Sequence, residues 1–410
     1  MWGGNENGRR NLYRIFLTGA FFLTSCFTLL YFFVFTESYA DFRAGFSGSD
    51  QCLIQEAAAA SVDENNKDIL LDAETGKENS GKDTVQKLLP CGIPVGIYLE
   101  TKGVLVTEVS EVSTSDGKML IPCSNVIEAG DYILRVGNAE ITSKEQFRDL
   151  VRKSGGKSMN LTIEHDGKQK KVKIRPVETD SNQYMAGLWV RDNMHGIGTL
   201  TWLDEEGNFA ALGHCISDID TGRLMEIDNG QLYRAEIYSL VKGSSSQPGS
   251  LTGAIDYRMQ SCIGTVRENT EQGIFGAGNQ EIRSLILEKL NIFYQLNSFE
   301  DLWEKAAREV ASVDEIHDGK AQMVSSFDGE YRFYEIEIHK ISGEKAGYEN
   351  INMEITVTDN SLLKQTGGIL QGMSGSPIIQ DGRLVGAVTH VLVNDPTRGY
   401  GIFIENMLEH

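Results

Sequence analysis

The chain has 410 residues, more than one domain needs, and its 40% hydrophobic and 23% charged residues are the balance of a globular protein, not a disordered or fibrous one. A net charge of −20 argues against a broad basic face for nucleic acid or anionic headgroups. Six cysteines form neither a CxxC pair nor a ligand cluster, and there is no HExxH and no Gly-rich phosphate loop, so neither a metal site nor a cofactor is expected.

Residues 1–14 are polar and basic (Arg9, Arg10, Arg14), and are expected to lie in the cytoplasm. Ile15 to Phe35 is a run of 21 residues without a charge, long enough to span a bilayer as one helix, with the remainder outside. Its length favours an uncleaved signal-anchor; Ser38-Tyr39-Ala40 is the alternative, a signal-peptidase site. Residues 36–87 are polar and acidic around Ile69-Leu70-Leu71 and read as a flexible linker.

Residues 88–177 read as a small β-rich domain with one helix. Val95 to Leu99 and Gly103 to Val106 are strand-like, and Ser143 to Lys153 is an amphipathic helix with Thr142 or Ser143 as cap and Phe147, Leu150 and Val151 inward. From Ala186 onward short apolar strands alternate with glycine turns, the pattern of a barrel or sandwich, so the fold class is mainly β. Ile282–Tyr294 and Phe299–Val310 have helical character and read as an insertion or partner surface. Tyr331 to Ile341 alternates clearly and is a strand, and Asp381-Gly382 signals a hairpin. The pairs Cys91/Cys123 and Cys215/Cys262 could bond outside the cytoplasm, but free buried thiols are the expectation.

Two segments carry chemistry. Gly372-Met373-Ser374-Gly375-Ser376-Pro377 sets a serine between glycines, where the backbone can turn tightly and a peptide carbonyl can approach. The N–H groups of Gly372 and Ser374 could converge there on one oxyanion. Upstream, His214 follows the short apolar strand Phe209 to Leu212, and the order His then Ser is that of chymotrypsin-like enzymes, not of α/β-hydrolases. Ser376, restricted by Pro377, ranks below Ser374. His390 reads as structural, and Cys215, adjacent to His214, is a weak candidate for a thiol nucleophile.

The segments Phe209 to Gly222 (FAALGHCISDIDTG) and Thr366 to Pro377 (TGGILQGMSGSP) resemble the stage IV sporulation protein B peptidases of endospore-forming bacteria. The resemblance extends from Leu88-Leu89-Pro90 to about residue 408, and Ala129 to Asn138 resembles the strand and turn of a PDZ domain. It implies a membrane-tethered serine endopeptidase with a PDZ domain at 88–177 and a trypsin-like double β-barrel peptidase domain at 186–410. Ser374 would be nucleophile and His214 base, and the family position fifteen before the serine gives Asp359 as third member. Asp256, 42 residues after His214, is the alternative. The loop Pro94-Val95-Gly96-Ile97 would hold a peptide carboxylate at the PDZ groove. The implied partners are the chain itself, by self-cleavage, and a membrane-bound regulator of an intramembrane protease, whose cleavage activates a late sigma factor across the space between forespore and mother cell. The rival expectation is a PDZ-containing binding protein with an inactive barrel.

Overall fold

Strand-forming residues are interrupted by turn residues from position 87 onward, and the result is a chain of mostly antiparallel strands. The computed structural model describes residues 86–340 and 350–409, apart from residue 246. The expected anchor (15–35) and linker (36–87, but for its last two residues) lie outside them. The elements that matter are β1 (Lys87–Val109), β2 (Tyr132–Val136), α1 (Lys144–Lys153), β3 (Met159–His165), β4 (Lys168–Ile174), β5 (Leu188–Leu203) and β6 (Asn208–Ala211). They are followed by β7 (Ile227–Val241), β8 (Gly249–Ile255), β9 (Cys262–Thr270), β10 (Gly273–Gly278), α2 (Gln280–Tyr294) and α3 (Phe299–Ala306). The last part holds β11 (Gly319–Ser325), β12 (Arg332–Lys340), β13 (Met353–Val357), α4 (Asn360–Thr366), β14 (Leu370–Gln371), β15 (Pro377–Gln380), β16 (Arg383–Leu392), β17 (Asp395–Phe403) and α5 (Ile404–Leu408).

Six strands pair antiparallel in a first ring: β1 with β5, β5 with β6, β6 with β10, β10 with β9, β9 with β7, and β7 back to β1. A second closed barrel runs β11-β12-β13-β17-β16-β15. Each ring encloses apolar side chains: Leu89, Ile93, Leu200 and Ile274 in the first, Met323, Ile336, Ile355 and Val388 in the second. Burying one such side chain contributes about 1.5–3 kcal/mol. The hairpin signal holds: Asp381 and Gly382 both have positive φ (50° and 81°), as a two-residue turn matched to strand twist requires.

A smaller third core is built from Val104, Ile133, Phe147, Val151, Leu161 and Ile163, with Leu188 and Val190 packed against it. Its helix forms where the apolar spacing puts it. Ser143 is the cap, its side chain accepting from the Gln146 N–H, and Phe147 and Val151 are the buried face.

Strand β1 decides how the expected domains and the expected ligand loop sit in the structure. The boundary expected at residue 88 falls within β1, one 23-residue strand serving two cores: Leu88 to Leu99 line the first barrel, Val104 and Val106 the small unit. Just past the boundary expected at 186, Leu188 and Val190 of β5 pack against the small core. Val95, Gly96 and Ile97 are therefore barrel wall and not a ligand loop. Val95 and Ile97 are buried, all three pair with β5 and β7, and a Cβ on Gly96 would sit 2.4 Å from the Ile255 side chain. The helices α2 and α3, expected as an insertion or partner surface, pack on the first barrel: Ile282, Leu285, Ile286, Leu290, Leu302 and Ala306 are buried in its core cluster.

Candidate active site

The histidine and serine loops are carried by different barrels and meet. At the end of β6 the chain reverses through a γ-turn of the rare hand: Leu212 has φ 73° and Gly213 N–H donates to the Ala211 carbonyl at 3.0 Å. A leucine at positive φ is strained by about 1–3 kcal/mol, and such strain concentrates at functional sites. His214 follows at once. The serine loop is a tight turn between β14 and β15, closed by Ser376 N–H donating to the Met373 carbonyl at 2.9 Å, with Met373 buried beneath it.

Thr199, in β5 and 1% exposed, fastens the two loops. Its N–H donates to the Ser374 carbonyl (3.1 Å), its hydroxyl donates to the Gly372 carbonyl (2.7 Å), and its carbonyl accepts from Leu212 N–H (3.2 Å). Gly375 explains why the loop needs glycine: at φ 95° an added Cβ would lie 2.2 Å from the Thr199 carbonyl oxygen and 2.6 Å from the Leu212 nitrogen. Gly213 in turn faces Thr389 and Ile402, whose methyls an added Cβ would meet at 3.1 Å. Nothing in the sequence singles out Thr199, which sits in Gly198-Thr199-Leu200-Thr201-Trp202.

The Ser374 hydroxyl is half-buried and donates to the Thr389 carbonyl at 2.6 Å. The N–H groups of Met373, Gly375 and Ser376 are committed to backbone carbonyls, whereas that of Ser374 has no acceptor among the described residues. It is a donor available to an oxyanion. Gly372, at φ 100°, is positioned by the Thr199 hydroxyl. Ser376 is fully buried with its hydroxyl unpaired among the described residues, consistent with its lower rank.

His214 pairs its Nδ1 with the Cys215 carbonyl at 2.8 Å, which sets the neutral ring with Nδ1–H donating and Nε2 free to act as base. Burial lowers its pKa from the ordinary histidine value, opposed in part by that carbonyl. The ring of His390 lies 5.0 Å from it, centroid to centroid, at an angle of 33°. Burial, and secondarily the neighbouring His214, hold His390 down at about 3.

Neither expected carboxylate joins this pair. Asp359 is the N-cap of α4: one oxygen accepts from Leu362 N–H (2.9 Å), the other from Glu335 N–H (3.4 Å). Asp256 accepts from Arg258 and Ser261, which hold its carboxyl well below the usual range. No carboxylate hydrogen-bonds to His214 or shifts it among the described residues. In this structure each aspartate meets a local demand of its own loop. Asp218 is likewise structural; it is buried, takes three donors from Asp220 and Thr221, and pairs with Arg191 at 2.7 Å. The Cys215 thiol is pushed up to about 11, chiefly by burial, the opposite of an activated nucleophile. Cys91, Cys123, Cys215 and Cys262 are all free thiols.

A second feature lies on the small unit. From Leu188 to Val190 strand β5 pairs with β1 on one side, and no described strand pairs with its other edge. Between that edge and α1 is a groove of about 610 Å³ floored by Phe147 and Val151, walled by Met185 and Trp189, and bordered by Arg148 and Arg152.

The family profile described as SpoIVB peptidase S55 matches residues 182–408. Among curated proteins nothing matches. The chain is similar to the PDZ domain of an SdrC-like protein from Listeria monocytogenes, with 21% identity over 22% of this chain and 87% of that one, at a TM-score of 0.18. An HtrA-type protease, AlgW with a decapeptide, shares 13% identity over 55% of this chain and 52% of its own, at 0.29. The active form of the Rv3671c protease from M. tuberculosis shares 12% over 53% and 72%, at 0.24. These scores are low, and the fold described here rests on the strand pairing alone.

Proposed function

Because the chain belongs to the SpoIVB peptidase S55 family and is a serine peptidase, we propose that it is a membrane-anchored serine endopeptidase that cuts itself and a membrane-bound regulator, using Ser374 and His214 on a trypsin-like pair of barrels. The observation that carries this reading is the fastening of the two loops by Thr199 and Gly375, which brings two residues 160 apart in the chain to one seam.

In the reaction the Ser374 hydroxyl leaves the Thr389 carbonyl and gives its proton to His214 Nε2 as its oxygen bonds to the scissile carbonyl carbon. The oxyanion is met by the Ser374 N–H with that of Gly372, each such donor contributing about 10²–10³ in rate. His214 then protonates the leaving amine as the C–N bond breaks, and water repeats the cycle on the acyl-enzyme. The anchor at 15–35 would hold the peptidase outside the cytoplasm, in the space between forespore and mother cell by family resemblance, where signalling of this kind would activate processing of a sigma-factor precursor.

The partner of the small unit, in this reading, is an extended peptide. It would add as a strand to the open edge at Leu188–Val190, with apolar side chains against Phe147 and Val151. This moves the PDZ ligand site away from Val95, Gly96 and Ile97.

The test is the fragment pattern of the full chain on a gel for wild type, Ser374→Ala and His214→Ala. Self-cleavage by wild type and none by either variant is expected. One observation favours the rival, a binding protein with an inactive barrel: the Ser374 hydroxyl is committed to a carbonyl and not to His214. Identical patterns in all three chains, with function intact in Ser374→Ala, would select that rival.

A further inference from the structure

His214 stands near the head of the connection from β6 to β7, Leu212 to Glu226. Part of this connection is a small hairpin: Met225 N–H donates to the Ile216 carbonyl at 3.1 Å, and Asp218 N–H to the Arg223 carbonyl at 2.9 Å. The barrel holds its root. Asn269 of β9 accepts from the Ile216 N–H (2.8 Å) and donates to the Ile216 and Met225 carbonyls (2.8 and 2.9 Å). Elements of the small unit hold the returning arm. The Tyr132 hydroxyl of β2 accepts from the Glu226 N–H at 2.9 Å, and Arg223 pairs with Asp166 in the turn after β3. Arg191 of β5, one residue past the open edge at Leu188–Val190, holds the tip: Nη1 lies 2.7 Å from Asp218 and Nη2 2.8 Å from Asp220. Asp218 is fully buried, and its other oxygen accepts from the Asp220 and Thr221 N–H groups and the Thr221 hydroxyl at 2.9–3.1 Å. A carboxylate taken out of water is costly unless a cation pairs with it, and Arg191 is that cation.

We infer that Arg191 is a positioning residue for peptide cleavage: through Asp218 it sets the course of the hairpin that carries His214 at its entry. The inference rests on the Ser374–His214 reading above and specifies which part of the chain holds the histidine loop. Arg191 touches neither the substrate nor the reacting atoms. It acts on the tip, four residues from the base, while Asn269 holds the root. Without Arg191 the tip carries a buried charge lacking its cation, so Asp218 turns toward water and the hairpin pivots about Asn269, taking His214 with it. The planar fork of Arg191 reaches two carboxylates at once, which a single ammonium does less well.

The experiment uses the full chain in detergent, with the full-length Ser374→Ala chain as substrate at varied concentration. Arg191→Met keeps an unbranched stem and removes the guanidinium. It should lower kcat by about 10²-fold, the scale of a reacting group displaced by about 1 Å, with KM little changed. Arg191→Lys, which keeps a cation near Asp218, should recover part of kcat. Asp218→Asn should also lower kcat, and the double variant Arg191→Met/Asp218→Asn should be no slower than the slower single, because both singles break the same pair. An Arg191→Met chain as fast as wild type overturns the inference. So does a loss confined to KM, which would place Arg191 in ligand binding at the neighbouring edge, and so do losses that multiply in the double variant. If Arg191→Met does not fold, Asp218→Asn decides, since it leaves no buried charge without a partner: an unchanged kcat there overturns the inference. Failure of the peptidase reading itself looks different: Ser374→Ala and His214→Ala would then cleave as wild type does.

Discussion

Replacing Thr199 by valine keeps the shape of the side chain and removes one hydroxyl, which makes it the cleanest test of the seam between the barrels. The hydroxyl donates to the Gly372 carbonyl at 2.7 Å in a place 1% exposed, so no water takes over the vacated carbonyl. A buried acceptor left without its donor costs about 1–3 kcal/mol. For a domain of 150–250 residues that lowers Tm by about 2–12 °C. The effect on rate should exceed what the stability loss explains. The Gly372 carbonyl that Thr199 holds lies between the Gly372 and Ser374 N–H groups assigned to the oxyanion, and a misaimed donor costs up to the 10²–10³ of a deleted one. Melting is to be followed in a Ser374→Ala background, which cannot digest itself, and self-cleavage in the otherwise wild-type chain. Thr199→Ser should restore both. A Thr199→Val chain with wild-type melting and cleavage would refute the reasoning, because the two loops would then be held by something other than this residue.

Further outcomes follow from the same geometry. Gly375→Ala should abolish cleavage and destabilise the seam, since its Cβ collides with the Thr199 carbonyl at 2.2 Å, whereas Gly382→Ala, with open space around it, should cost only the strain of a positive φ; the two melting curves and cleavage rates separate these cases. Cys215→Ser should cleave at close to the wild-type rate, because its half-buried thiol is pushed up to about 11 and has no role as nucleophile; loss of cleavage with normal melting would contradict this. The two half-buried imidazoles set a pH dependence. Their folded pKa values lie below the ordinary value of 6.5, so the unfolded chain binds more protons than the folded one below that pH. Stability should be full above about 6.5 and fall as pH drops toward about 3, where His390 titrates, and His390→Phe should flatten part of that fall in a urea titration across pH.

Local rules carried the sequence reading furthest where one short segment decides its own structure. The Asp381-Gly382 turn and the helix capped at Ser143 both came out where their residue types demand. The two motifs that hold His214 and Ser374 were legible for a related reason: each needs glycine at a fixed place, and Gly213 and Gly375 have it. What escaped were features set by partners distant in sequence. Asp359 stands before Asn-Ser-Leu-Leu, and nothing local distinguishes an aspartate that caps a helix from one that orients a histidine. Val95 to Ile97 alternate as any strand would, and only the pairing with β7 reveals that they close a barrel. Thr199 looked like strand filler because its three hydrogen bonds reach residues 13 to 175 positions away.

The sharing of β1 between two cores has a consequence for how this protein melts and how it can be dissected. A fragment cut at residues 88–177 would carry away Leu88 to Leu99, a stave of the neighbouring barrel, and leave behind Leu188 and Val190 that its own interior needs. Heat should therefore dismantle both units in one cooperative step, and a ligand that stiffens the smaller one should raise the melting point of the catalytic body as well.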